Sequence, residues 1–313
     1  MYKNLKKIAT INMSREEWLE HRRNSIGGSD ASAILGMNAY SSAYTVWADK
    51  LGKLPEKDDN EAMRQGRDLE AYVAQRFTEQ TGKKVRRENN ILWNPDFPFA
   101  HANVDRLVIG EDAGLECKTC SALRMKEFKN GAFPDSYYVQ CVHYMMVTGC
   151  KKWYLAVLVL NKEFMVFEIE RDEEEIKALA ETEAAFWECV RSQNPPATDG
   201  SSSTSDTIKT IFKESNGDSV SLFGYEADLK SYMSFVSLIK DLEKQRDEVA
   251  NRIKVYMGEA GKGESDGHRV SWTSSERKTF DAKRFAADHP SLDLSEYYKN
   301  SVVRTFKVTE KNN

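Results

Sequence analysis

No run of 18 apolar residues occurs in this 313-residue chain, so no transmembrane helix and no membrane partner are expected. Residues 1–11 are basic but lack a long apolar core, and they do not read as a secretion signal. Cysteine is scarce. The five are Cys117, Cys120, Cys141, Cys150 and Cys189, an odd number that fits reduced thiols and a cytoplasmic location. Cys117-Lys118-Thr119-Cys120 has C-x-x-C spacing, yet neither the other cysteines nor the scattered histidines supply a second zinc-binding pair. No tight cysteine cluster exists for an iron–sulfur centre. An excess of positive charge is also missing. The net charge of −4 argues against a surface coated for nucleic acid. It leaves room for a local groove, with basic groups at Arg22-Arg23, Lys83 to Arg87 and Arg124 to Lys129.

What is present describes a globular chain, 40% apolar and 30% charged, long enough for two parts. Ser14-Arg15-Glu16-Glu17 is a capping box that opens a helix ending near Arg23. A glycine turn, Ser25 to Asp30, leads to a short helix over 31–35 capped by Ser29, and helices follow over 43–51 and 58–81. Strands are predicted at 84–93, 99–109 and 114–119, then helices at 121–130 and 135–149, a hairpin at 152–169 and an acidic helix at 172–191. This order predicts an α/β (α+β) fold with a central mixed sheet flanked by helices. Asn194-Pro195-Pro196 and a Gly/Ser/Thr run divide the chain into a domain at 1–193, a linker at 194–206 and an appendage at 207–313. The appendage should carry a long helix at 226–257 and a pair of strands, 268–272 with 302–308.

One hairpin concentrates polar chemistry within apolar segments. Strand alternation puts Glu116 and Lys118 on one face, with Leu115, Cys117 and Thr119 on the other. A turn over 110–113 would set Asp105 opposite Lys118 and diagonal to Glu116. A solvated surface hairpin is the competing reading. Two carboxylates aimed at one point suit Mg²⁺ or Mn²⁺, which acidify a bound water and neutralise charge on a phosphate. A lysine beside them can polarise that water. Glu70 lies at the edge of the apolar stripe Ala62, Gly66, Leu69, Val73 and Phe77, and could complete the site or merely pair with an arginine. Tyr137, Gln140 and Tyr144 fall on one helical stripe, either as core or as holders of water and phosphate. The glycine turn exposes backbone N–H groups at a helix start, a seat for a phosphate or a plain connection.

Gly66-x-x-x-Glu70, Asp105, Glu116-Cys117-Lys118 and Gln140-x-x-x-Tyr144 together resemble the PD-(D/E)xK nuclease pattern of the RecB type, with Val104 where the motif has proline. More narrowly, Trp18 to Arg22, Ile26-Gly27-Gly28-Ser29-Asp30, Ile34-Leu35-Gly36 and the stretch from Ser136 to Tyr154 are similar to the YqaJ-like viral recombinases, relatives of phage lambda exonuclease. The likeness covers roughly residues 14–190. It implies a restriction-endonuclease-like core and a metal-dependent exonuclease that digests the 5′ strand of duplex DNA ends. The 3′ strand would pass to a single-strand annealing protein of the RecT or Redβ type. It further implies Mg²⁺, replaceable by Mn²⁺, as two ions on Asp105, Glu116, the Cys117 carbonyl and Glu70. Lys118 would act on the water and Gln140 beside it. Arg22 and Ser29 would hold the 5′-phosphate, with Tyr137, Gln140 and Tyr144 along the DNA. Relatives form a trimeric ring, so a homotrimer is an implied assembly. An endonuclease on the same core and a catalytically silent DNA-end-binding protein are the alternatives. Residues 207–313 have no counterpart in lambda exonuclease, and their role stays open.

Overall fold

A computed structural model describes residues 1–56 and 58–310, and the chain forms two compact units, Met1–Phe212 and Lys213–Asn313. In the first unit the order is β1 (Lys6–Ala9), α1 (Arg15–Arg23), α2 (Gly28–Ile34), α3 (Ala43–Lys50), α4 (Glu61–Thr81), β2 (Val85–Arg87), β3 (Asn90–Trp93), β4 (His101–Ala102), β5 (Arg106–Val108), β6 (Ala113–Cys120), a 3₁₀ segment (Ala122–Gly131), α5 (Asp135–Thr148), β7 (Lys152–Val159), β8 (Glu163–Glu170), α6 (Glu173–Arg191) and α7 (Ser202–Ile211). Five strands make the central mixed sheet in the order β2-β5-β6-β7-β8, in which β6 and β7 are parallel and the other pairs antiparallel.

Alternation along β6 and β7 builds the layers. Leu115, Tyr154 and Ala156 point to one side and pack with Val73, Ala74 and Phe77 of α4. Trp153, Leu155, Val157 and Val159 point to the other and pack with Val142, Met145 and Met146 of α5. The result is the expected α/β architecture, a mixed sheet between helices. Among the described residues no helix is long and apolar enough to cross a membrane.

Several local expectations need correction. The strands predicted at 84–93 and 99–109 are each broken, and their outer halves, β3 and β4, join β1 in a separate three-stranded sheet. The first break falls at Glu88-Asn89. Glu88 is buried there and paired with Arg86 and Lys7, which takes it out of a regular ladder. The hydroxyl-rich run expected as a linker at 194–206 contains the start of α7. Ser201 caps that helix, and its Thr204 and Thr207 are buried against the Ser42 and Thr45 hydroxyls of α3. The division between units follows Phe212. Ser29 does not cap α2; Gly27 occupies that position.

The second unit contains α8 (Glu226–Met257), β9 (Lys262–Ser265), β10 (His268–Ser271) and α9 (Ala282–Asp288). β10 pairs with β9, and residues 302–308 form no strand. Asp266-Gly267 explains the pairing. With Gly267 at φ +80° it is a two-residue Asp-Gly hairpin turn, and its local closure outcompetes a distant partner. Tyr232 of α8 meets Phe306 edge-on at 5.5 Å between ring centroids.

Candidate active site

The polar hairpin folds against α5. The turn between β5 and β6 spans 109–112, one residue earlier than expected, and this shifts the register by two. Arg106 pairs with Leu115, so Asp105, just before β5, comes opposite Glu116 rather than Lys118. Asp105 Oδ2 accepts from the Cys117 N–H at 2.8 Å. Glu116 is 3% exposed. Its Oε1 accepts from Lys118 Nζ at 2.6 Å and from Gln140 Nε2 at 2.8 Å. Lys118 Nζ also donates to Gln140 Oε1 at 2.8 Å, and Gln140 Nε2 donates to the Tyr144 hydroxyl at 2.8 Å. The i, i+4 spacing on α5 thus delivers Gln140 and Tyr144 as one chain of hydrogen bonds.

This corner is electrostatically unfinished. Burial, then the charges of Glu116 and Glu70, push the Asp105 carboxyl well above its ordinary range. Burial opposes charge on Lys118, but the Glu116 carboxylate outweighs it and holds the ammonium above its ordinary range. Glu116 Oε2 is buried without a hydrogen-bond partner. A buried oxygen without a partner is costly, and two facing carboxylates with such an oxygen suit a hard cation with oxygen ligands. Among the described residues no group of three His, Cys, Asp or Glu side chains converges, so protein carboxylates alone would leave further positions to water or phosphate. Burial and the same two carboxylates push the Cys117 thiol far up, which leaves it inert as a nucleophile.

The other expected residues are placed differently. Glu70, on α4, is held by ion pairs to Arg106 and, at 3.3 Å, Arg87. It therefore turns toward arginines, although it shares with Asp105 a cleft of about 420 Å³ also lined by Arg87, Glu88 and Asn103. Tyr137 stands outside the Gln140–Tyr144 chain. Its ring lies 5.3 Å from Lys118 Nζ and 5.7 Å from the Arg124 guanidinium. The basic runs are partly neutralised where they stand, Arg86 by Glu88 and Arg124 by Glu127.

A second polar corner forms where α1, α2 and α3 meet. Arg22 Nη2 donates to Ser29 Oγ at 3.1 Å and to Asp30 Oδ1 at 3.3 Å, and its guanidinium lies 5.0 Å from the Trp18 ring centroid. Arg22 and Ser29 are therefore neighbours, as expected. The glycine turn is less open than its sequence suggests, because the Gly27 N–H already donates to Asp30 Oδ2 at 3.0 Å. A cavity of about 640 Å³ opens here, lined by Trp18, Arg22, Asp30, Met63 and Arg67 among others. Sequence reasoning missed Asp30 and Lys50. Lys50 Nζ donates to Asp30 Oδ2 and to the Arg22 carbonyl, each at 2.6 Å. The available signal was a lysine between Trp47 and Leu51 on a short helix whose other charged residue is Asp49.

Gly28 joins the two corners. A Cβ on it would lie 2.6 Å from the Tyr144 ring and 3.1 Å from Gln140 Cγ, so α2 rests directly on the Gln140–Tyr144 face of α5. The route from Arg22 through Ser29 and Gly28 to Gln140, Glu116 and Lys118 is a series of direct contacts.

Residues 17–151 match the sequence profile of the YqaJ-like viral recombinase domain. Among solved structures, the alkaline exonuclease LHK-Exo from Laribacter hongkongensis is 22% identical, over 57% of this chain and 93% of its own, with a TM-score of 0.49. A phage-related exonuclease from Haemophilus somnus 129PT is 13% identical, over 54% of this chain and 96% of its own, with a TM-score of 0.40. The Bacillus subtilis (strain 168) protein described as "Uncharacterized protein YqaJ" is 38% identical over 304 residues, 95% of each chain. Identity of that degree over nearly the whole of both chains makes this protein a member of the YqaJ-like viral recombinase family.

Proposed function

We propose that this protein is a divalent-metal-dependent deoxyribonuclease that degrades the 5′ strand from duplex DNA ends in the cytoplasm. The observation that carries this reading is the Asp105–Glu116–Lys118 group around the buried Glu116, one of whose oxygens has no partner among the described residues. Asp105 and Glu116, with the Cys117 carbonyl, would hold Mg²⁺ or Mn²⁺, and Glu70 would serve a second ion if freed from Arg106. An ion held there supplies an acidified water and neutralises charge on the scissile phosphate.

The chain's own residues do the rest. Lys118 donates protons for hydrogen bonding toward the attacked phosphate, and Gln140 fixes it against Glu116. Tyr144 accepts from Gln140 and limits the amide's rotation. Arg22 and Ser29 take the terminal 5′-phosphate, and Tyr137 flanks Lys118 on the DNA side. The 3′ strand left behind is the substrate of a single-strand annealing protein of the RecT or Redβ type, and a homotrimer would keep the enzyme on its track.

Strand-labelled digestion of linear duplex in Mg²⁺ tests this directly. The expected result is loss of label from 5′-phosphorylated ends first, with a covalently closed circle spared. Rapid cutting of the circle would falsify the exonuclease reading.

A further inference from the structure

The corner between α1, α2 and α3 contains two cations and one carboxylate. Asp30 accepts from Lys50 and from the Gly27 N–H through Oδ2, and from Arg22 through Oδ1. The Lys50 side chain is 1% exposed, whereas that of Arg22 is 32% exposed. A pair that served only to tie helices together would be neutral. Burying an ammonium and a carboxylate is costly, and an apolar pair would hold the same helices. Here the cost yields a surplus of one positive charge among the three, with Arg22 and Asp30 lining the cavity and Lys50 buried behind them. His101, beneath Gly27, adds no charge, because burial pushes its pKa down to about 3 while it bonds the Ser25 hydroxyl at 2.7 Å. Of the other charged residues lining the cavity, Arg15 pairs with Glu56 and Arg67 with Asp59, while Arg23 and Asp49 add one charge of each sign.

Lys50 holds Arg22 at both ends: directly at its carbonyl, and through Asp30 at its guanidinium. With the Trp18 ring on one side and Ser29 on the other, the guanidinium is aimed before any ligand arrives. Both protein bonds use Nη2, and among the described residues Nη1 and Nε have no acceptor. Those N–H groups, on a guanidinium already fixed through Nη2, remain to make charge-assisted hydrogen bonds to a phosphate.

We infer that Asp30 and Lys50 are positioning residues that preset Arg22 and set the preference for a terminal phosphate dianion over a hydroxyl. The inference rests on the proposed end-directed nuclease reading and adds the source of its end selectivity.

The test compares blunt duplexes that differ only in a 5′-phosphate or 5′-hydroxyl, with wild type, Arg22→Ala, Lys50→Met and the double variant Asp30→Asn with Lys50→Met. The double variant strands no buried charge, so it keeps the test open if Lys50→Met alone fails to fold. The expected result is a KM for phosphorylated ends raised about tenfold more than that for hydroxyl ends, the worth of one charge-assisted bond. Equal losses on both ends in a folded variant mean a merely structural role and overturn the inference. So does full discrimination by the double variant when Arg22→Ala has lost it. A wild type that cleaves but treats both ends alike removes the phosphate grip itself, and the inference with it.

Discussion

Asp30 and Asp105 are both withdrawn from water, yet their surroundings drive them in opposite directions. Burial would raise the Asp30 pKa, but the Lys50 ammonium and the Arg22 guanidinium outweigh it and hold the carboxyl far below its ordinary range. Asp105 has burial and two like charges against it, and its carboxyl is held far above that range. One corner is saturated, with every aspartate oxygen bonded and positive charge left over. The other sets two carboxylates against the one Lys118 ammonium, with a buried oxygen beside it unbonded among the described residues. The first is built to meet an anion as it stands. The second suits a cation with oxygen ligands. In the proposed nuclease a DNA end would bring the anion and the solution the cation, and the two corners would be complementary halves of one task.

The comparison can be broken most severely at the unfinished corner. Lys118→Met should lower kcat by about 10²- to 10⁴-fold, the range for a lost proton-handling group, in protein that circular dichroism still shows folded although its melt falls as Glu116 loses its partner. A variant within a few-fold of wild type in a single-turnover assay would remove Lys118 from the chemistry. Next in size is the link between corners. Gly28→Ala drives a methyl into the Tyr144 ring, and overpacking of this kind costs about 1–3 kcal/mol. Denaturant unfolding should report that loss, and cleavage of both end types should fall together because Gln140 moves with Tyr144.

The smallest effect sharpens the contrast itself. The folded-state pKa of Asp105 lies above its unfolded value, so in chelator its contribution to stability is lost as pH rises past ~4. Asp105→Asn should therefore melt a few degrees above wild type at pH near 8, and the difference should shrink below pH ~4. Asp30 has the reverse sign. Its contribution is present above pH ~4 and is lost as pH falls, so Asp30→Asn should melt below wild type at neutral pH and approach it in acid. Melting curves across pH check both, and parallel behaviour of the two variants would dissolve the distinction.

Much of this was legible in the chain because it depends on short-range periodicity. Alternation put Glu116 and Lys118 on one face, and the i, i+4 spacing put Gln140 above Tyr144. The helices and the β7–β8 hairpin follow from caps and apolar stripes in the same way. Register was harder, since moving a loose four-residue turn by one position exchanges Lys118 for Glu116 opposite Asp105. Glu70 lay beyond local rules, because Arg87 and Arg106 reach it from other elements. The Asp30–Lys50 pair is hidden for the same reason: twenty residues separate partners that meet only when α2 and α3 have packed. The Ser201–Thr207 run misled because hydroxyl-rich sequence suits both a solvated linker and a helix start whose hydroxyls find others.

Gly28 offers neither charge nor hydrogen-bonding side chain, only the absence of a methyl. In the proposed nuclease, which would hold a DNA terminus at Arg22 and cut beside Lys118, that absence would be a ruler. The backbone rests on an aromatic ring, so the spacing between the held end and the cut would be fixed by van der Waals contact rather than by a flexible arm. Fragments released one after another would then share a single length.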